Sequence, residues 1–307
     1  MKRAVLLPIL MLIVVFLMEA CFKPEAENKY FLYQLVEMDI KEVLEHQFDY
    51  LVTDYSRDGS EDGRYSEEEI SKLKEKGIIP LCYISIGEAE DYRFYWQEDW
   101  RTNPPDWLGP ENPEWEGNYK VRYWYDEWKK IVFEYLDKII EEGFSGIYLD
   151  IIDAYYYWSV EMNELGEKEA AEKMIEFVEE IAKYTREKVP GFLIVPQNAE
   201  DILECDDDGS YLDTISGIGV EDLSYTTDDN DNIIVQEESD YRIEYLDRIK
   251  TAGKFVLSVD YVYDPKNPDM NIVGDYVKKA RKRGYIPYPA NKNRALDEIV
   301  TVIFEIK

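Results

Sequence analysis

Eight apolar, strand-like runs recur along this chain, and helix-like segments fill most of the intervals between them. The runs cover residues 31–36, 50–56, 78–87, 146–150, 191–197, 214–220, 254–261 and 285–289. Helical patterns cover 40–46, 66–76, 127–142, 168–188, 241–252 and 272–283, with a weak one within 199–203. Parallel strands need a helical crossover to return the chain in the same direction, so this alternation predicts a parallel α/β sheet. A count of eight favours closure into a (β/α)8 TIM barrel over a doubly wound open sheet. Gly77, Gly143, Gly253 and Gly284 directly follow helical segments, as left-handed C-caps do. Ser66 followed by Glu69 reads as a capping box.

The 307 residues suit one barrel, and 45% hydrophobic content supplies its core. Nothing divides the chain after residue 30, so 30–307 reads as a single domain behind a tether at 21–29. Residues 1–20 read as a signal or anchor: Lys2 and Arg3 precede an apolar stretch from Ala4 to Met18, too short for an ordinary span. Ala20-Cys21 resembles a bacterial lipoprotein cleavage site, with Cys21 lipidated; a cleaved secretory signal and an uncleaved anchor are the alternatives. All three place the domain outside the cytoplasm, secreted or membrane-anchored. The membrane is then a partner only through this segment or its lipid.

A formal charge of −31 excludes nucleic acid, whose phosphates require clustered Lys and Arg. It favours a cationic ligand and leaves a neutral one indifferent. Cys82 sits in an apolar run and reads as a buried free thiol. No disulfide framework or metal spacing appears, and the acidic runs at 204–208 and 228–231 read as solvated loops. No cofactor is expected.

Active sites of barrels lie at the C-terminal ends of the strands. Nearly every predicted strand here ends in a carboxylate or amide, and none ends in His or Cys. The one histidine, His46, lies at the end of a helix. Ser-His-Asp catalysis, zinc chemistry and phosphate loops are thereby excluded, leaving carboxylate chemistry: glycoside hydrolysis by an acid and nucleophile pair, or oxygen-ligand metal binding. Asp150 emerges directly from its strand, and alternation puts Tyr148 on the same side, where its hydroxyl would keep Asp150 ionised. Glu221 follows an apolar approach that would raise its pKa and suit a general acid. The competing reading pairs either acid with Arg57, Arg93 or Arg122 in rim salt bridges.

Between the third strand and its helix lie about forty residues, a length usually functional in a compact domain. Six of the seven tryptophans fall there or just inside that helix, and the seventh is Trp158. This clustering predicts an aromatic-lined cleft, with Trp124 on one wall and Trp158 on the other. Tyr83, Asn198 and Asp260, at their strand ends, complete the candidate sugar-contacting set.

Four segments carry a family resemblance. They are Tyr50-Leu-Val-Thr-Asp-Tyr-Ser-Arg-Asp-Gly59, Tyr83-Ile-Ser-Ile-Gly-Glu-Ala-Glu-Asp-Tyr-Arg93, Gly146-Ile-Tyr-Leu-Asp-Ile-Ile-Asp153 and Val220-Glu-Asp-Leu-Ser-Tyr225. Together they resemble glycoside hydrolase family 114, extracellular endo-α-1,4-polygalactosaminidases on a TIM barrel, over residues 30 to 290. The resemblance implies Asp150 and Glu221 as the catalytic pair, with Asp54, Glu88, Arg93 and Asp153 shaping the sugar site. It is to a bacterial and archaeal branch: Ile151 and Asp222-Leu223 stand where the characterised fungal type has Asn and Gln-Cys. The implied partner is a polysaccharide, with a cationic aminosugar polymer favoured by charge. A non-catalytic lipoprotein binding polysaccharide in the same cleft is the alternative.

Overall fold

The structure, a computed structural model, describes residues 28–228, 232–237 and 239–306. The predicted signal or anchor, Cys21 and most of the tether lie outside the described residues, as do three positions of the 228–231 acidic run.

Among the described residues the barrel strands are β1 (Phe31–Tyr33), β2 (Tyr50–Thr53), β3 (Ile79–Ser85), β4 (Gly146–Asp150), β5 (Leu193–Pro196), β6 (Gly217–Glu221), β7 (Phe255–Tyr263) and β8 (Ile286–Asn291). All their ladders are parallel, in the order β1-β2-β3-β4-β5 and β6-β7-β8. A parallel bridge between Gln197 and Gly219 joins β5 to β6. At the other seam Phe31 packs edge-on against Tyr288, ring centroids 5.8 Å apart, and the Leu35 N–H donates to the Leu296 carbonyl. The fold is the expected TIM barrel.

Helices Glu67–Glu75, Asp126–Glu141, Glu167–Lys188, Ser239–Thr251 and Met270–Lys282 wrap the barrel. Ser66 and Glu69 do form a reciprocal capping box, and the four C-capping glycines have φ between 72° and 92°. Strand boundaries differ by up to three residues: β1 stops at Tyr33 and β2 at Thr53, short of the expected positions 36 and 56, and β6 starts late. The run expected from Thr214 begins at Gly217, because Ser210–Thr214 is a short helix. Asp206 holds that helix by accepting the backbone N–H groups of Tyr211 and Leu212, and composition alone does not reveal such a contact.

The long insertion is not a bare loop. Its strands Glu88–Glu90, Asn118–Val121 and Leu108–Glu111 pair antiparallel in that spatial order, forming a small sheet. That sheet stands on the C-terminal side of β3 and walls the barrel mouth.

Candidate active site

A cleft of about 620 Å³ opens at the C-terminal ends of the strands, within the size range of ligand sites. Asp54, Tyr83, Glu88, Arg93, Asp150, Asp153, Asn198 and Glu221 all line it. Register explains the gathering: Asp150 ends β4 beside Ser85, and Glu221 ends β6 beside Val259.

The backbone turns sharply after each of these two acids. Ile151 has φ +57° and Asp222 φ +52°, conformations that cost a non-glycine residue about 1–3 kcal/mol. For a β-branched isoleucine this is a true outlier. The turn at Ile151 fits only because residue 87 is glycine: a Cβ there would lie 2.2 Å from the Ile151 carbonyl oxygen.

Asp150 accepts the Tyr83 hydroxyl at 2.7 Å and the Ile151 N–H at 2.8 Å. Burial pushes its pKa up to about 7; the Tyr83 hydrogen bond opposes this and the charge of Glu221 adds to it. Glu221 accepts from the Tyr261 hydroxyl and the Gln197 side-chain amide. The amide's orientation is fixed because Tyr33 donates to its oxygen at 3.2 Å. Burial again raises the Glu221 pKa, with the Tyr261 hydrogen bond as the main opposition. Arg242 clamps the Glu221 backbone. It donates to the Glu221 carbonyl at 2.9 Å and to Asn198 Oδ1, which accepts the Glu221 N–H.

The basic residues of the cleft are committed elsewhere. Arg57 pairs with Glu69, Arg93 with Asp54 and Glu90, and Arg294 with Asp222. Arg122 pairs with Glu164. None of these arginines forms an ion pair with Asp150 or Glu221, so the rim-salt-bridge reading does not hold. Lys120 pairs with Glu88 at 2.6 Å. Asp153 makes no hydrogen bond or ion pair through its side chain among the described residues; burial raises its pKa, and Lys120 is the chief influence lowering it. The cleft therefore carries an excess of uncompensated carboxyl groups.

With this geometry in view, the sequence comparison is decisive. The model of glycoside-hydrolase family GH114 matches residues 18–305. The chain belongs to this family. GH114 membership makes it a glycoside hydrolase. An uncharacterized protein of Methanocaldococcus jannaschii is 52% identical over 272 residues, covering 88% of this chain and 77% of that one. One from Thermotoga maritima is 51% identical over 271 residues, covering 87% and 82%. Among solved structures, the glycoside hydrolase domain of PelA from Pseudomonas aeruginosa matches with a TM-score of 0.67 at 18% identity, covering 90% of this chain and 98% of that one. Aspergillus fumigatus Ega3 in complex with galactosamine matches at 0.63 and 16% identity, covering 89% and 94%. At such identities these two likenesses speak for the fold.

Four expected contacts are corrected in this GH114 chain. Trp158 is fully buried, its indole N–H donating to the Val121 carbonyl, and Trp124 packs edge-on against it rather than lining the cleft. The turn Ala154–Tyr156 and the π-helical Tyr157–Glu161 carry the neighbouring rings outside the cleft too. Trp96, Trp100, Trp107 and Trp128 likewise pack on one another, with centroid spacings of 5.3, 5.0 and 5.2 Å. Tyr148 lies buried below the cleft with its hydroxyl unpartnered, and Tyr83 takes the role expected of it. Asp260 is buried as well. It accepts the backbone N–H groups of Leu223, Ser224 and Tyr225, holding the turn after Glu221.

Gln197 and Tyr261, which donate to Glu221, and Tyr33, which orients Gln197, were not singled out as site residues from the sequence. Gln197 and Tyr261 stood among the strand-end residues without a role, and Tyr33 lay inside a run that reads as core.

Proposed function

We propose that this GH114 chain cleaves a galactosamine-containing polymer from within, with Asp150 as nucleophile and Glu221 as acid/base. One observation carries the reading. Two carboxyl groups meet in a cleft whose bases are all engaged, so the cation that balances them comes with the substrate. In this mechanism Asp150 attacks the anomeric carbon while Glu221 protonates the departing glycosidic oxygen. Glu221 then takes a proton from water, which displaces Asp150 and returns the original anomeric configuration. The galactosamine in the Ega3 complex supports the sugar class. The test is turnover of de-N-acetylated α-1,4-galactosamine polymer, with NMR of the first product. An inverted anomer overturns the role of Asp150, and binding without product release favours a non-catalytic binder.

A pH dependence follows. A nucleophile whose pKa is raised to about 7 is protonated below that value. We expect kcat/KM to fall about tenfold per unit on the acid side of pH 7. Activity that instead rises below pH 6 would assign the proton-donating role to Asp150.

The N-terminal segment supports export, with the enzyme secreted or anchored at the cell surface. Mass spectrometry of the native protein is expected to find a lipid-bearing Cys21, a signal-cleaved start or an unprocessed chain in the membrane fraction. An unprocessed Met1 in the soluble cytoplasmic fraction contradicts export.

A further inference from the structure

Among the seven tryptophans only Trp115 is open to solvent, at 59% exposure, and it lines the cleft. Tyr92, at 50%, lines it too. Both belong to the insertion, whose other large rings are buried or half-buried. Two exposed rings in one cleft lining leave apolar surface in water that packing would otherwise have covered.

The Tyr92 ring is fixed by its neighbours. The Tyr92 hydroxyl donates to Glu90 at 2.5 Å, and the Arg93 guanidinium lies 4.8 Å from the ring centroid. Gly59 leaves the ring its space, because a Cβ there would sit 2.9 Å from Tyr92 Cδ2. Trp115 rides on a hydrogen-bonded turn. Its N–H donates to the Asn112 carbonyl at 3.2 Å, and its carbonyl accepts from Asn118 at 3.1 Å. The Asp91 N–H donates to the Gly117 carbonyl at 2.8 Å, which brings the segments carrying the two rings together, and neither residue hydrogen-bonds to Asp150 or Glu221 among the described residues.

Resting on the reading proposed above, we infer that Tyr92 and Trp115 form a distal subsite that stacks a sugar ring of the same polymer away from the point of cleavage. Aromatic faces bind the apolar face of a sugar ring, and they attract an ammonium substituent as well. Asp58 and Asn118 line the same cleft and offer hydrogen-bonding partners for the sugar's polar edge. The subsite makes binding depend on chain length and keeps the enzyme on long chains.

The test is calorimetric titration of the Asp150→Asn protein with α-1,4-galactosamine oligomers of graded length, and in parallel with the N-acetylated series. Affinity is expected to rise with length. Adding Trp115→Ala is expected to weaken the long oligomers about tenfold and the disaccharide far less, with Tyr92→Leu acting in the same direction. A loss equal at every length, no loss, or no binding of either series overturns the subsite. Length-dependent binding confined to the N-acetylated series upholds the subsite and overturns the cationic-substrate reading, which wild-type turnover checks separately.

Discussion

Replacing Asp150 by Asn is expected to cut turnover at least about a thousandfold and, at pH 8, to make the protein more stable. The first effect follows from removing the proposed nucleophile; Glu221→Gln is expected to match it with natural substrate. The second follows from where Asp150 sits. Its pKa rises on folding, from an ordinary value near 3.8 to about 7. The folded state therefore binds that proton more tightly than the unfolded chain. The stability this brings is fully present below about pH 4 and is lost as pH climbs through 7. At pH 8 the ionised, buried carboxylate costs a few kcal/mol, and Asn removes the cost. Melting curves are expected to show Asp150→Asn several degrees above wild type at pH 8, with the gap closing toward pH 4. Equal melting temperatures at pH 8 would show that the carboxylate is solvated; wild-type turnover would remove it from the reaction.

Arg93→Met is expected to destabilise the protein by about 3–5 kcal/mol, because it strands two buried carboxylates. Arg93 reaches Asp54 at 2.7 Å and Glu90 at 2.6 Å, and all three are at least nine-tenths buried. Burial already pushes the Asp54 pKa upward, and the guanidinium is what restrains it. Without Arg93, Asp54 is expected to take up a proton, so the loss in urea melts should shrink as pH falls. Adding Asp54→Asn and Glu90→Gln should restore most of the stability. If the triple variant stays as weak as Arg93→Met, the loss lies in the guanidinium's packing against Tyr55, Tyr92 and Tyr135 instead.

The barrel was legible because its signals are local. The β4 run at 146–150 was read to the residue, and the glycine stops and the Ser66 cap name helix ends outright. Strand ends, taken in order, also gathered Asp54, Glu88, Asp150, Asn198 and Glu221 into one place. What failed was side-chain direction. A cluster of tryptophans reads the same whether its rings face a ligand or one another, and here most face one another. Asp260 failed for a related reason: a carboxylate at a strand end serves a turn as readily as a substrate. Tyr148 followed the expected alternation and still missed Asp150, since facing the same side does not fix depth along the barrel axis. Gln197 and Tyr261 act on Glu221 from neighbouring strands, a relation that exists only after the sheet has closed.

The left-handed turns at Ile151 and Asp222 have a consequence for how such an enzyme changes its diet. They aim the two acids by main chain, from strands locked into the barrel, so the reacting groups move only if the barrel does. The exposed rings sit on the connections of a separate small sheet, outside the barrel strands that carry the two acids. On the proposed reading, substitution at Trp115 or Tyr92 is expected to change which chain is held while Asp150 and Glu221 stay where they were.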